Sequence, residues 1–256
     1  DKPVGRKQTL TPPPVKVEAE KLGIPVFQPK NLNKEWKEYV AAHQIAAPDF
    51  LVVVAFGQIL SNDVLQWPAI APVNVHASLL PLHRGASPIQ QTILSGDTET
   101  GVTIQRMVKE LDAGPILGKE SVPLETTDTT PILFDRLSAL GAKVLIDTLS
   151  NPLNETPQDH TQATFCKKLT RADGMIDPQM MTAAEIDRKV RALVPWPGVT
   201  WNDVKILTVG FDPHDDAYAL ACAGSTTLYI MEVQPAGKKP MTGASWARGR
   251  KPDRLP

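Results

Sequence analysis

Asn74 and His76 stand two residues apart at the end of the apolar run Ala71-Pro72-Val73-Asn74-Val75-His76. Alternate side chains of a strand share a face, so an amide donor and a titratable imidazole would point into the same space. Further on, Asp112 heads the turn Leu111-Asp112-Ala113-Gly114. A histidine without a metal partner is an acid or base near neutral pH, and a carboxylate beside it would hold its tautomer and support the imidazolium. The asparagine amide can donate to an oxygen that gains negative charge. Such a set suits acyl transfer through a tetrahedral intermediate without a protein nucleophile. The rival reading is structural: a His and an Asn closing a strand end, and an Asp capping a turn. Spacing alone does not separate the two. Ser78 as a hydrolase nucleophile is weaker, because no G-x-S-x-G elbow surrounds it. G-x-G-x-x-G and P-loop patterns are also absent, so nothing points to a dinucleotide or ATP. The five His are scattered without metal-ligand spacing, and no metal is expected.

The elements that would carry these residues alternate. Helical spacing covers 15–22 and 33–43, the latter through Trp36, Tyr39 and Val40. Short strands are expected at 24–27, 49–56 and 71–77. The run DFLVVVAF at 49–56 is continuous and β-branched, as in a strand buried on both faces of a parallel sheet. A brief helix at 61–66 lies between the last two strands. Helix 87–94, strand 101–108 and strand 116–124 follow. The best-defined helix has Thr130 as N-cap, Pro131 at its first position, and Leu133, Leu137, Leu140 and Val144 on one stripe. This alternation argues an α/β fold with an open, mostly parallel sheet over the first 150 or so residues. The polar, Pro-containing stretch from 151 to 173 reads as a linker crossing the surface. Thr182 and Glu185 then form a capping box for a helix buried through Ile186, Val190 and Leu193. Short β-type runs at 204–211, 217–222 and 225–233 suggest a small barrel. The expected division is 1–153, a linker at 154–174, and 175–256.

At 256 residues and 42% hydrophobic composition the chain can bury a sizeable core. No apolar run approaches a membrane span, and the net charge of −1 names no polyanion partner by itself. Charge is uneven, however. The loop 1–14 carries Arg6 and Lys7, and Lys238, Lys239, Arg248, Arg250, Lys251 and Arg254 gather near the other end. Cys166 and Cys222 are far apart, which fits buried thiols in a reducing cytoplasm rather than a disulfide or zinc site. The first residue is Asp1 rather than Met, so the natural start is expected to precede Asp1.

Asn74-Val75-His76-Ala77-Ser78-Leu79-Leu80-Pro81, Arg84-Gly85-Ala86, Pro88-Ile89-Gln90, the run Gly96-Asp97-Thr98-Glu99-Thr100-Gly101 and Leu111-Asp112-Ala113-Gly114 together resemble the folate-dependent formyltransferases. The resemblance spans nearly the whole chain. It implies a Rossmann-like sheet followed by a small OB-like barrel, with the family's first strand and helix preceding Asp1. By the same resemblance, Asn74 would bind a formyl oxygen. His76 would polarise the formyl group and stabilise the charged intermediate, and Asp112 would orient His76 and relay a proton. Val53, Ala55, Phe56 and Gly57, with Ser78, Leu79, Leu80 and Pro81, would line the pocket for 10-formyltetrahydrofolate. The N-terminal loop and Gln234–Lys239 with Met241 resemble family members whose acceptor is initiator methionyl-tRNA. That makes Arg6, Lys7, Lys238, Lys239 and Arg248 candidate tRNA contacts, with solvated surface charge as the alternative for each. A cytoplasmic monomer acting in translation initiation is the implied whole. Two other readings stay open: transfer to a small amine such as an amino sugar or purine precursor, and a non-catalytic RNA-binding module. Compared with the family, the segments near 151–154 and 211–216 look a few residues short.

Overall fold

The computed structural model describes residues 1–4 and 9–249. A short antiparallel ribbon, β1 (Lys2–Val4) with β2 (Thr9–Thr11), stands where a loop was expected. Arg6 and Lys7, and the basic residues after Gly249, lie outside the described residues. Helices α1 (Pro14–Lys21) and α2 (Leu32–Ala42) follow. The strand expected at 24–27 does not form. That stretch contains Pro25 and finds no strand to pair with among the described residues, and the Phe27 ring instead stacks on Tyr39 at 3.8 Å between centroids.

The first sheet is built from β3 (Phe50–Val54), β4 (Ala71–His76), β6 (Glu99–Arg106) and β7 (Ile116–Pro123), in the order β3-β4-β6-β7. Here α3 (Asn62–Leu65) joins β3 to β4. Between β4 and β6 come β5 (Arg84–Gly85) and α4 (Pro88–Ser95). Only β3 and β4 run parallel, while β4–β6 and β6–β7 are antiparallel. The sheet is therefore mixed, which corrects the expectation of a mostly parallel one. Residues 107–115 contain no helix, and so short a connection can only bring the chain back as an antiparallel neighbour.

Register decides which side chains share a face. Asn74 pairs with Gln105, Val75 with Ile104, and His76 with Thr103. Directly opposed residues lie on the same side, so Asn74, His76, Thr103 and Gln105 form one polar face. Val73, Val75, Val102 and Ile104 form the other, and α5 (Thr130–Leu149) packs on it. Leu133, Leu137 and Val144 are buried as the stripe predicts, and Gly141 also faces the sheet. A Cβ there would lie 3.1 Å from Val75 Cγ1, so the helix sits low on the sheet. The N-cap is Thr129 rather than Thr130. Thr130 begins the helix and sends its hydroxyl 2.7 Å to Ala192 O in the C-terminal half.

In that half α6 (Ala183–Leu193) carries the predicted capping box, with Thr182 N donating to Glu185 Oε2 at 2.7 Å. Ile186, Val190 and Leu193 are buried, and α6 packs between α4 and a second sheet. This sheet comprises β9 (Val199–Trp201), β10 (Val204–Gly210), β11 (Tyr218–Cys222) and β12 (Thr226–Pro235), with β13 (Met241–Thr242) on β12. All its pairings are antiparallel, in the order β11-β12-β10-β9. No pairing of β9 with β11 closes it among the described residues, so the sheet stays open rather than forming a closed barrel. Helix α7 (Gly243–Arg248) covers it through Trp246, which meets Trp201 and Tyr218 at 6.0 and 5.5 Å. No helix among the described residues is long and apolar enough to cross a membrane.

The stretch expected to be a surface linker is instead a strap on the first sheet. Thr156 bridges Ile116, and β8 (Phe165–Cys166) pairs in parallel with β5. Its backbone groups find partners in the sheet's own loops, a pairing that hydrophobic periodicity does not report.

Candidate active site

The trio converges on the polar face. His76 and Asp112 have side chains 6% and 10% exposed, with His76 Nδ1 3.7 Å from Asp112 Oδ2. That is an ion-pair distance rather than a hydrogen bond. His76 Nε2 lies 3.0 Å from His83 O, which anchors the ring and leaves Nδ1 turned toward Asp112. Asn74 is half-buried, and its amide makes no hydrogen bond to a described residue. It remains available to a ligand.

Asp112 is held from several directions. Gly85 N donates to Oδ2 and Gln105 Nε2 to Oδ1, each at 2.8 Å. The Gln105 Oε1 is buried and has no partner among the described residues, an acceptor left open beside the trio. Asp112 itself adopts φ +50°, a left-handed conformation uncommon for residues other than glycine. The turn is tight enough that a Cβ on Gly114 would overlap Arg106 O. Gly85, at φ +119°, presents its N–H only because it lacks a side chain, since a Cβ there would overlap Cys166 O.

The loop after β4 is equally determined. His83 Nε2 lies 2.6 Å from Asp97 Oδ2, and His83 N donates to Thr164 Oγ1 at 2.8 Å. These contacts fix the carbonyl on which His76 rests. Cys166 donates from Sγ to that same carbonyl at 3.4 Å and receives Ser87 N at 3.3 Å. Burial pushes the Cys166 thiol above its ordinary range, opposed by the Ser87 N–H and reinforced by the Asp112 charge. It stays a neutral thiol.

The other predicted pocket residues fall into two groups. Ser78 and Leu80 are fully buried. The Ser78 hydroxyl donates to Leu82 O at 2.6 Å, and Leu80 N donates to Thr103 Oγ1 at 3.1 Å, so both brace the loop. The Ser78 hydroxyl is thus bound to a backbone carbonyl rather than to a base, which argues against the hydrolase reading. Leu79 and Pro81 are half-buried, and Leu79 lines a cavity of about 190 Å³ with His83 and Asp97. Val53 pairs with Asn74 across the parallel strands. The segment Ala55, Phe56, Gly57 therefore leaves β3 next to the trio, with Phe56 44% exposed. Lys238 and Lys239 are exposed in the β12–β13 connection, and Arg248 is exposed at the end of α7. None of the three meets a carboxylate among the described residues.

Sequence reasoning missed Gln105, Gln158 and the pair His83–Asp97. Gln105 was discoverable, because it alternates with Thr103 on a predicted strand. Gln158 was not: it lies in the strap and reaches the site through Asp112 O at 2.9 Å and Gly114 O at 2.7 Å.

Comparison with known proteins agrees with this geometry. Residues 1–149 match the family described as formyl transferase, and residues 168–251 match its C-terminal domain. The methionyl-tRNA formyltransferase of Lysinibacillus sphaericus is 42% identical over 271 residues, covering 97% of this chain and 85% of the relative. The enzyme of the same name from Roseiflexus castenholzii is 43% identical with the same coverages. Among solved structures, HypX from Aquifex aeolicus in complex with tetrahydrofolic acid superposes with a TM-score of 0.62 at 16% identity. That alignment covers 81% of this chain and 40% of HypX, and it speaks to the fold alone. With both family regions matched in order and relatives above 40% identity along nearly its full length, this chain belongs to the formyl transferase family.

Proposed function

We propose that the chain transfers the formyl group of 10-formyltetrahydrofolate to the α-amine of methionine on initiator tRNA. The observation that carries the chemistry is the convergence of an unengaged amide, an anchored imidazole and a fixed carboxylate on one sheet face. The acceptor is supported by the relatives named methionyl-tRNA formyltransferase, which are 42% and 43% identical over 97% of this chain. The site's open positions fit a formylated folate. Asn74 has a free donor, Gln105 Oε1 is an orphaned acceptor, and the exposed Phe56 leaves the strand beside Asn74.

In this reading the donor supplies an activated formyl group, and the protein's residues do the rest. Asn74 donates to the formyl oxygen as it gains charge, and His76 donates from Nδ1 to the same oxygen. Asp112, whose oxygens are already oriented by Gly85 and Gln105, takes the proton released by the attacking amine. As the oxyanion collapses, the bond from the formyl carbon to the folate nitrogen breaks and that nitrogen takes up a proton, so tetrahydrofolate leaves. Two aimed donors of this kind contribute about 10²–10³ each, and the proton-transfer group about 10²–10⁴. Lys238, Lys239 and Arg248 contact tRNA phosphates from the C-terminal sheet, whose open strands act as a barrel-like RNA-binding face. Arg6 and Lys7 reach the acceptor end.

The test compares formyl transfer to charged initiator tRNA with transfer to amino sugars, using the same donor. Turnover on the tRNA is expected, and turnover on amino sugars alone would overturn the proposal.

A further inference from the structure

Gln158 is 6% exposed, and its side chain is fully committed. Its single amide nitrogen donates to Asp112 O at 2.9 Å and Gly114 O at 2.7 Å. Its oxygen accepts from Arg84 Nε at 3.1 Å and Arg84 Nη2 at 2.6 Å. An amide has two N–H groups and two lone pairs, so no capacity remains for any other role. Arg84 is 4% exposed, and among the described residues its partners are Gln158 and His160 Nδ1, at 3.2 Å, rather than a carboxylate. A buried guanidinium held without a counter-charge is costly, and two of its nitrogens here aim Gln158.

The arrangement clamps the Asp112 turn at two levels. The Gly85 backbone holds the carboxylate, while its neighbour Arg84 acts through Gln158 on the backbone that carries it. A left-handed aspartate persists only where the surroundings over-determine it. Two donated hydrogen bonds on alternate carbonyls of one turn are such a constraint.

We infer that Gln158, aimed by Arg84, is a positioning residue that sets the placement of Asp112 relative to His76. The strap thereby belongs to the catalytic centre rather than to a spacer. The inference rests on the reading of Asp112 as the proton acceptor.

Steady-state kinetics on the full chain, with formyl donor and charged initiator tRNA, test it. Gln158→Glu keeps the oxygens facing Arg84 but removes both N–H donors. Gln158→Met matches the length and removes everything polar. Each should lower kcat about 10–100-fold, the size of a sub-ångström to one-ångström misplacement, with KM for both substrates held within about twofold. If Gln158→Met melts below the assay temperature, Gln158→Glu, which retains an Arg84 ion pair, carries the measurement. In an Asp112→Asn background, either change should lower kcat no further, because the misplaced group has already been disabled. Variants within about twofold of the parent, or the same fold-loss repeated on Asp112→Asn, would overturn the inference. Parental kcat in Asp112→Asn alone would overturn its premise as well. An inactive Asp112→Asn beside fully active Gln158 variants would sink this inference and leave the proposed chemistry standing.

Discussion

At the scale of single residues, the site separates groups that react from groups that aim. Asn74 has no side-chain partner among the described residues, and His76 has one nitrogen tied to His83 O and the other facing Asp112. Asp112→Asn should lower kcat about 10²–10⁴-fold, the range of a lost proton-transfer group, and move the melting temperature by only a few degrees. Paired kinetics and thermal melts would show this, and near-normal turnover would contradict the proton-acceptor role. His76→Ala should abolish turnover while tRNA binding, measured by filter retention, stays at the parent's level. A binding loss of equal size would instead favour an RNA-binding module in which the trio is structural. Cys166 illustrates the opposite case. It lies against the same carbonyl as His76, yet burial keeps it protonated, and iodoacetamide should leave it unlabelled in the folded enzyme at neutral pH.

At the scale of elements, the site depends on places where backbones come too close for a side chain. Gly85→Ala would drive a Cβ into Cys166 O, part β5 from β8 and withdraw the N–H from Asp112. Activity should fall by at least about 10²-fold, beyond what the accompanying drop in melting temperature explains. Helix α6 gives a pH-dependent counterpart. The Thr182 N–H and hydroxyl hold Glu185 below its ordinary range, so this contribution is fully present above the ordinary glutamate value of 4.5 and is lost as pH falls through the lower folded value. Thr182→Ala should lower the melting temperature by a few degrees at pH 7, as for a lost N-cap, and by less under strongly acidic conditions. An unchanged difference across that range would rule out the carboxylate's share. These elements also show what a sequence can reveal. The face shared by Asn74 and His76 follows from period two, and the buried stripe of α5 from period 3.6. Strand direction does not follow from either period, so the antiparallel neighbours of β4 and β6 leave no mark in the sequence. The strap was unreadable for a related reason. Gln158 contacts residues more than forty positions away through backbone carbonyls, and no local pattern records such a partner.

At the scale of the whole molecule, the two family regions share one continuous set of buried residues, running from Ala71 in the first sheet to Trp246 beneath the second. Polar contacts fasten the same junction. Thr130 reaches Ala192 O, Arg191 Nη1 reaches Asp128 O at 3.0 Å, and Asp128 is clasped by Arg136 at 2.7 and 2.9 Å. A core shared in this way should melt as one cooperative unit rather than as two. The Asp128 side chain is 4% exposed and that of Arg136 34%, so removing the carboxylate strands a half-buried cation. Asp128→Ala should therefore cost about 3 kcal/mol, the low end for breaking a buried pair. That corresponds to a fall of about 6–12 °C in a chain of this length. Calorimetry should show a single peak moved to lower temperature, with kcat at assay temperature close to the parent's, because Asp128 touches neither Asp112 nor the strap. Two separate peaks would mean that the halves are held together less firmly than their shared core indicates, and that the C-terminal sheet moves independently of the site it serves.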